Sequence, residues 1–554
     1  MDSGYSPGTF AMIRLFLVLG FVATTLAKTV TFNWNIGWVS AAPDGFTRPV
    51  IGINGLWPPP VLEADVNDTI IVTAHNSLGN ETTSLHWHGM WQNNSTHMDG
   101  GSRVSQCEIP PGGTFTYRFK AYPAGTFWYH SHAMGQYPDG LRAPMIIHDP
   151  DSAAEQDADE QHILTVSDWY RNQMPPLIHR YLTTPNYNGA MPKPNSSLVN
   201  DQQSTRLNIR PGQKSYIRII NISALATFYL QFDQHNMTVV SIDDVNVDPQ
   251  SWEALEITPG QRYDVIITGL ENPQRNYAFI NKMAVLGLQN NNILSYNSSW
   301  PDPEPLAVSR FNLGSDINLT PLDHEPLLEP VDKTFTMEVN NLNIDGVGYR
   351  ITQGPYPYIA PRTPTLYTAL TTGFNATNPA IYGQTNSYIV EAGDIVQLVV
   401  NSNDLVTTNT SGRGHPMHLH GHTFQVVGQY GTHWDGDTAK FPTVPMKRDT
   451  TVLFAGGSLV IRFQANNPGV WMFHCHIEWH LDAGMAATII EAPLEFQRSG
   501  LRIPPQHLAA CRALNLTTRG NCAGNTVNLE DTAACRIYDT DPWGALIGER
   551  ETAR

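Results

Sequence analysis

"GVWMFHCHIEWHLDAGM", residues 469–485, sets one cysteine between two histidines and a third histidine five residues after the cysteine. Side chains two apart on a β-strand share a face, and immediate neighbours face opposite ways. On a strand, His474 and His476 therefore point to one side and Cys475 to the other. Two metal centres can then lie back to back, joined by a few covalent bonds. Three readings compete for the stretch: a structural zinc clamp, a reactive thiol, and a centre that handles electrons.

The rest of the chain favours the third. Four short motifs hold ten of the twenty histidines: HWH (His86, His88), HSH (His130, His132), HPMHLH (His415, His418, His420) and HCHIEWH (His474, His476, His480). One H-x-H is commonly a pair of ordinary core or surface histidines. Four of them, one enclosing a cysteine, are not. Zinc takes four Cys/His ligands in a closed site or three in an open one, which leaves most of these histidines unexplained. A cysteine with two histidines and a weak axial sulfur is the blue-copper pattern. His480 and Met485, five and ten residues beyond Cys475, fit it. The bland alternative for Met485 is a core methionine.

Around these motifs the signals are those of strands. TIIVTAHNS, SYIRIINIS, RYDVIITG, DIVQLVVNS and SLVIRFQA are short, rich in β-branched residues and bounded by turn residues. Many such strands predict an all-β chain of sandwiches or barrels. A weak repeat links PPGGTFTYRFKAYPAGTFWYHSH near 110–132 with AGGSLVIRFQANNPGVWMFHCH near 455–476. PGQRYDVIITGLENPQRNYAFINK keeps the pattern without histidines. Three related β domains follow, at 28–150, 151–320 and 321–495, with a C-terminal tail at 496–554.

Composition sets limits. At 554 residues the chain is long enough for several domains. Its formal charge of −17 lacks the basic footprint of a nucleic-acid binder. Arg14 precedes the apolar run LFLVLGFVATTLA, so residues 1–27 read as a secretory signal, with Met12 a second candidate start. No other stretch approaches about 20 apolar residues, so a secreted mature chain without a membrane partner is expected. Twelve N-x-S/T sequons suit that route: Asn67, Asn80, Asn93, Asn94, Asn195, Asn221, Asn236, Asn297, Asn318, Asn375, Asn409 and Asn515. Of five cysteines, Cys475 is the odd one out. Cys107, Cys511, Cys522 and Cys535 can pair in three ways.

Taken in order and spacing, the four histidine motifs resemble those of the multicopper oxidases: laccases, ascorbate oxidases and fungal iron oxidases. The resemblance spans about residues 30–495. It implies three cupredoxin-like Greek-key domains and four copper ions: one type 1, one type 2 and a type 3 pair. Carried over motif by motif, His415, Cys475 and His480 would bind type 1 copper, with Met485 axial. His86 and His418 would bind type 2 copper, and His88, His130, His132, His420, His474 and His476 the type 3 pair. His422 falls outside the pattern and is expected to be structural. Electrons would enter near His480, cross through Cys475 to His474 or His476, and reduce O₂ to water. Asp99 in HMDGGS and Glu478 in HCHIEWH are the implied acids for proton delivery; each has an ordinary reading as a turn or solvated carboxylate. The resemblance also implies a Cys107–Cys511 disulfide; Cys522–Cys535 would then close the remainder, with the other pairings still open.

The reducing substrate is less legible. The main expectation is a laccase-like oxidase of phenols or polyphenols, such as pigment or secondary-metabolite precursors. The alternative is an Fe(II) oxidase, and the third reading a non-catalytic copper-binding protein. HCHIEWHL and PMKRDT resemble the iron-oxidase branch. Against it, Asp168 in TVSDWYRNQ stands where that branch has a glutamate. Asp404, the nearest acid before HPMH, is displaced by LVTTNTSGRG. Tyr358 matches a tyrosine of that branch. Leu225 stands where laccases often carry a carboxylate, leaving Asp168 as the candidate base for a phenol.

Overall fold

Every stretch expected to be extended is a strand in the computed structural model, which describes Met1 and residues 27–133, 135–404 and 414–535. The five quoted segments form Thr69–Asn76, Lys214–Asn221, Arg262–Thr268, Ile395–Ser402 and Ser458–Gln464. The body of the signal reading, residues 2–26, and the Asn409 sequon lie outside the described residues.

The strands assemble as three successive pairs of sheets. Two four-stranded sheets occupy 29–148, a six- and a five-stranded sheet 160–295, and two five-stranded sheets 333–491. Neighbouring strands are often distant in sequence: Thr29–Ala41 pairs in parallel with Thr69–Asn76, which pairs antiparallel with Thr114–Lys120. This is the cupredoxin-like, all-β architecture, and we read each pair of sheets as one domain. A small hairpin, Asn341–Ile344 with Gly348–Ile351, stands apart from the sheets of the third.

Burial explains why some strands alternate and others do not. In Thr69–Asn76 every second residue is buried, as one wet face requires. Gly469–Cys475 is buried along its whole length. Trp471, Phe473 and Cys475 face the large core of the second and third domains. Val470 and Met472 face a separate cluster with Leu366, Tyr367 and Ile381. Both faces of this strand are thus covered, and its two sides reach different surroundings.

The Cys107–Cys511 and Cys522–Cys535 disulfides are present, and Cys475 is free and buried. The first bond ties the tail helix Pro505–Ala513 to the first domain. One sequon is corrected by the fold. Asn221 is fully buried, and its amide donates to the carbonyls of Ala226 and Ile257, both at 2.9 Å, so it carries no glycan in the folded chain. Among the described residues no helix is long and apolar enough to cross a membrane.

Candidate metal centre

Strand register brings the histidine motifs together. His86 lies opposite His130, and His418 opposite His474. Thr96 fastens the first domain to the third by accepting from Val470 N–H at 3.1 Å. Two groups of donor atoms result, separated by the strand that carries Cys475.

The first group is a triangle. Cys475 Sγ lies 3.4 Å from His480 Nδ1 and 3.8 Å from His415 Nδ1, and the two nitrogens are 3.0 Å apart. Burial pushes the Cys475 thiol up, so a thiolate forms here only with a cation beside it. Burial pushes His480 down to about 3, aided by His415. Met485 is fully buried next to the triangle, its carbonyl accepting from Cys475 N–H at 3.2 Å.

The second group gathers the remaining eight histidines. His86, His88 and His130 converge, as do His86, His418 and His420, and His132, His420 and His474. His476 Nε2 lies 3.2 Å from His88 Nδ1. Five buried ring nitrogens, on His86, His130, His132, His418 and His476, have no hydrogen-bond partner among the described residues.

The hydrogen bonds behind the rings fix which nitrogen is bare. His420 Nδ1 faces Asp99 Oδ2 at 2.9 Å, and His474 Nδ1 faces the Cys475 carbonyl at 2.9 Å. Oxygen acceptors of this kind take a proton, so both Nδ1 atoms are protonated and both Nε2 atoms carry lone pairs. Those lone pairs confront each other at 3.2 Å. Burial pushes both imidazoles well below the ordinary histidine value, so a shared proton does not relieve the repulsion. A metal cation does. Imidazoles with one thiolate are a donor set suited to copper.

Carboxylates and one arginine hold the rings. Asp99 is wholly buried; burial opposes its charge, but His420 and His86 outweigh that and keep it far below the usual carboxylate range. Asp449 accepts from His88 Nε2 at 3.3 Å, its carbonyl accepts from His418 Nδ1 at 2.9 Å, and Arg262 from the middle domain clamps its carboxylate. Neither Asp449 nor Arg262 follows from the histidine spacing; PMKRDT was the only sequence hint. Gly260, at φ +85°, passes so close to the cluster that a Cβ would lie 2.9 Å from the His476 ring. His422 stands outside the donor groups, paired with Glu491 at 2.9 Å.

Two cavities flank the centre. A small one touches His130, His132, His474, His476, Tyr137 and Glu478. Burial there raises the Glu478 carboxyl to about 8. A larger one, about 270 Å³, opens over His415 and His480 and is lined by Asp404, Asn341, Tyr349, Tyr181, Tyr187 and Met191 among others. Contrary to the expectation from its sequence position, Asp404 is not displaced: its Oδ2 lies 2.6 Å from His415 Nε2. Asp168 does not line this cavity. Its oxygens accept the backbone N–H groups of Ala224, Leu225 and Ala226 at 2.8–3.1 Å, which leaves it poorly placed as a base for a phenol. Leu225 and Tyr358 are buried outside it.

Multicopper oxidase family models match residues 35–152, 160–299 and 358–495. The chain is a multicopper oxidase. It is a copper-dependent oxidoreductase with O₂ as acceptor, and the family's four copper ions accord with the donor groups above. It is 43% identical over 543 residues to the iron transport multicopper oxidase fetC of Epichloe festucae, covering 94% of this chain and 86% of that one. It is 35% identical over 541 residues to the iron transport multicopper oxidase FET3 of Saccharomyces cerevisiae, covering 93% and 84%. Among solved structures, Fet3p, described as a multicopper oxidase that functions in iron import, superimposes with a TM-score of 0.86 at 34% identity, covering 91% and 98%. A laccase from Botrytis aclada gives 0.77 at 27%, covering 94% and 95%. These relatives overturn the expectation of a laccase-like enzyme with a phenolic partner.

Proposed function

We propose that this multicopper oxidase oxidises Fe(II), coupling four one-electron oxidations to the reduction of O₂ to two waters: 4 Fe²⁺ + O₂ + 4 H⁺ → 4 Fe³⁺ + 2 H₂O. The carrying observation is the Asp404 carboxylate, hydrogen-bonded to His415 and facing the cavity over His415 and His480. A carboxylate is the hard oxygen donor that iron favours. Burial works against its charge, but His415 holds the Asp404 carboxyl below its ordinary value, so it is ionised at neutral pH. The iron transport multicopper oxidases named above support the same choice.

His415, Cys475 and His480, with Met485 beside them, are the ligand set for type 1 copper in this reading. His86 and His418 serve type 2, and His88, His130, His132, His420, His474 and His476 the type 3 pair. Bound copper supplies one-electron acceptance on the iron side and four-electron delivery to O₂. The protein's part is placement. Asp404 seats Fe(II) in the cavity beside the buried His415 ring. Cys475 is bonded through the backbone to His474 and His476, so the path between the groups is short and covalent. Glu478 is protonated at neutral pH and lies beside the O₂-reducing histidines, which suits it to hold protons for water formation. Asp99 stays ionised; it orients His86 and His420 and is not a proton donor in this account.

The test is kcat/KM of the copper-loaded protein for Fe(II) and for an electron-rich phenol, under the same O₂. Fe(II) should be preferred by at least tenfold. A phenol preferred by that margin would overturn the proposal.

A further inference from the structure

We propose that Asn341 is a positioning residue for this reaction, holding the Asp404 carboxylate in place on His415; the inference rests on the Fe(II) reading above. Ten residues separate Asp404 from His415 in sequence, too many for connectivity alone to fix the carboxylate on the imidazole. Hydrogen bonds do it instead. His415 turns Nδ1 toward Cys475 and His480, so its proton sits on Nε2 and is donated to Asp404 Oδ2 at 2.6 Å. Asn341 Nδ2 donates to the other oxygen, Oδ1, also at 2.6 Å.

The orientation of the Asn341 amide follows from chemistry. An ionised carboxylate only accepts, so the amide nitrogen must face it. The amide oxygen then faces Tyr349, whose hydroxyl donates to it at 2.8 Å. Tyr349 is itself fixed: its ring packs on Tyr181 at 5.6 Å, and a Cβ on Gly189 would run into it. An anchored ring orients an amide, the amide orients a carboxylate, and the carboxylate orients a histidine. Among the described residues each Asp404 oxygen accepts one side-chain hydrogen bond, which leaves a lone pair for a metal ion in the cavity.

Asn341 itself is exposed, on the small hairpin outside the sheets, so replacing it leaves the core packing intact. The experiment compares four copper-loaded proteins with Fe(II) as donor: wild type, Asn341→Leu, Asp404→Asn and the double variant. Asn341→Leu should keep the blue absorption and melting temperature but lose at least fivefold in kcat/KM, chiefly through KM. Added to Asp404→Asn it should cost nothing further, because both act through one carboxylate. If the leucine variant loses its blue colour, Asn341→Ala takes its place. An Asn341 variant within twofold of wild type overturns the inference, and so does a loss that multiplies with that of Asp404→Asn. A wild type with no saturable Fe(II) oxidation instead overturns the Fe(II) reading, and the inference with it.

Discussion

Asp404 and His415 meet through a 2.6 Å hydrogen bond although they lie eleven positions apart in the chain. The contact ties the cavity to the cysteine-bearing triangle, because His415 presents its other nitrogen there. Replacing Asp404 by asparagine keeps the size and removes the charge. Fe(II) kcat/KM should fall about tenfold or more, which is about 1.4 kcal/mol of transition-state stabilisation per factor of ten. Steady-state kinetics at fixed O₂ check this; the blue band should persist, since Asp404 is not among the donor atoms of the triangle.

Met485 tests the triangle from its other side. The axial ligand tunes the potential of a cysteine–histidine copper site. Met485→Leu should raise the type 1 potential, read by redox titration of the blue band. An unchanged or lower potential would remove Met485 from the ligand set.

Glu478 is a carboxylic acid near neutral pH because burial raises it to about 8. The protonated form is the useful one, so O₂ reduction supported by it should be full below that value and decline as pH rises through it. Glu478→Gln should slow reoxidation of the fully reduced protein at neutral pH and flatten that decline. Stopped-flow mixing with O₂ at pH values on both sides of about 8 reads both.

The tail is pH-sensitive for a separate reason. His507, on the tail helix, stacks on Phe115 of the first domain with ring centroids 3.5 Å apart, and His97 lies 6.3 Å away. Burial pushes His97 down to about 4 and His507 to about 3, the latter with help from His97. Folded values below the unfolded value mean that the unfolded chain binds more protons. This stability is therefore present above the ordinary histidine value and lost as pH falls toward the folded ones, by a few kcal/mol, at about 1.4 kcal/mol per pH unit and titrating group. His507→Phe keeps the stacked ring and removes a proton site. Thermal melts between pH 7 and about 4 should show a shallower acid loss in the variant.

Much of this was legible in the chain. H-x-H motifs on period-2 strands were enough to place Cys475 and His474 on opposite sides, and the structure sends Cys475 to the His415–His480 triangle and His474 to the cluster. The Cys107–Cys511 bond followed from family resemblance, and Cys522–Cys535 from what remained. What stayed hidden depends on long-range closure. Asp404 looked misplaced because linear spacing does not reveal how a chain returns on itself. Asp168 looked available because sequence does not show three backbone N–H groups converging on it. Asn341, Tyr349 and Arg262 belong to no histidine motif, and Asp449 stands only in PMKRDT; all four matter through partners that the fold brings to them. The preference for phenols rested on Leu225, Asp168 and a displaced Asp404; the first two lie outside the cavity over His480, and Asp404 lines it.

The most direct test is the stoichiometry of O₂ uptake with Fe(II) as sole donor, measured on the copper-loaded protein beside Cys475→Ser. Four Fe(III) should form per O₂ without released peroxide, and Cys475→Ser should be colourless and no faster than iron in buffer. Two Fe(III) per O₂ with peroxide accumulating, or equal rates in the two proteins, would contradict it.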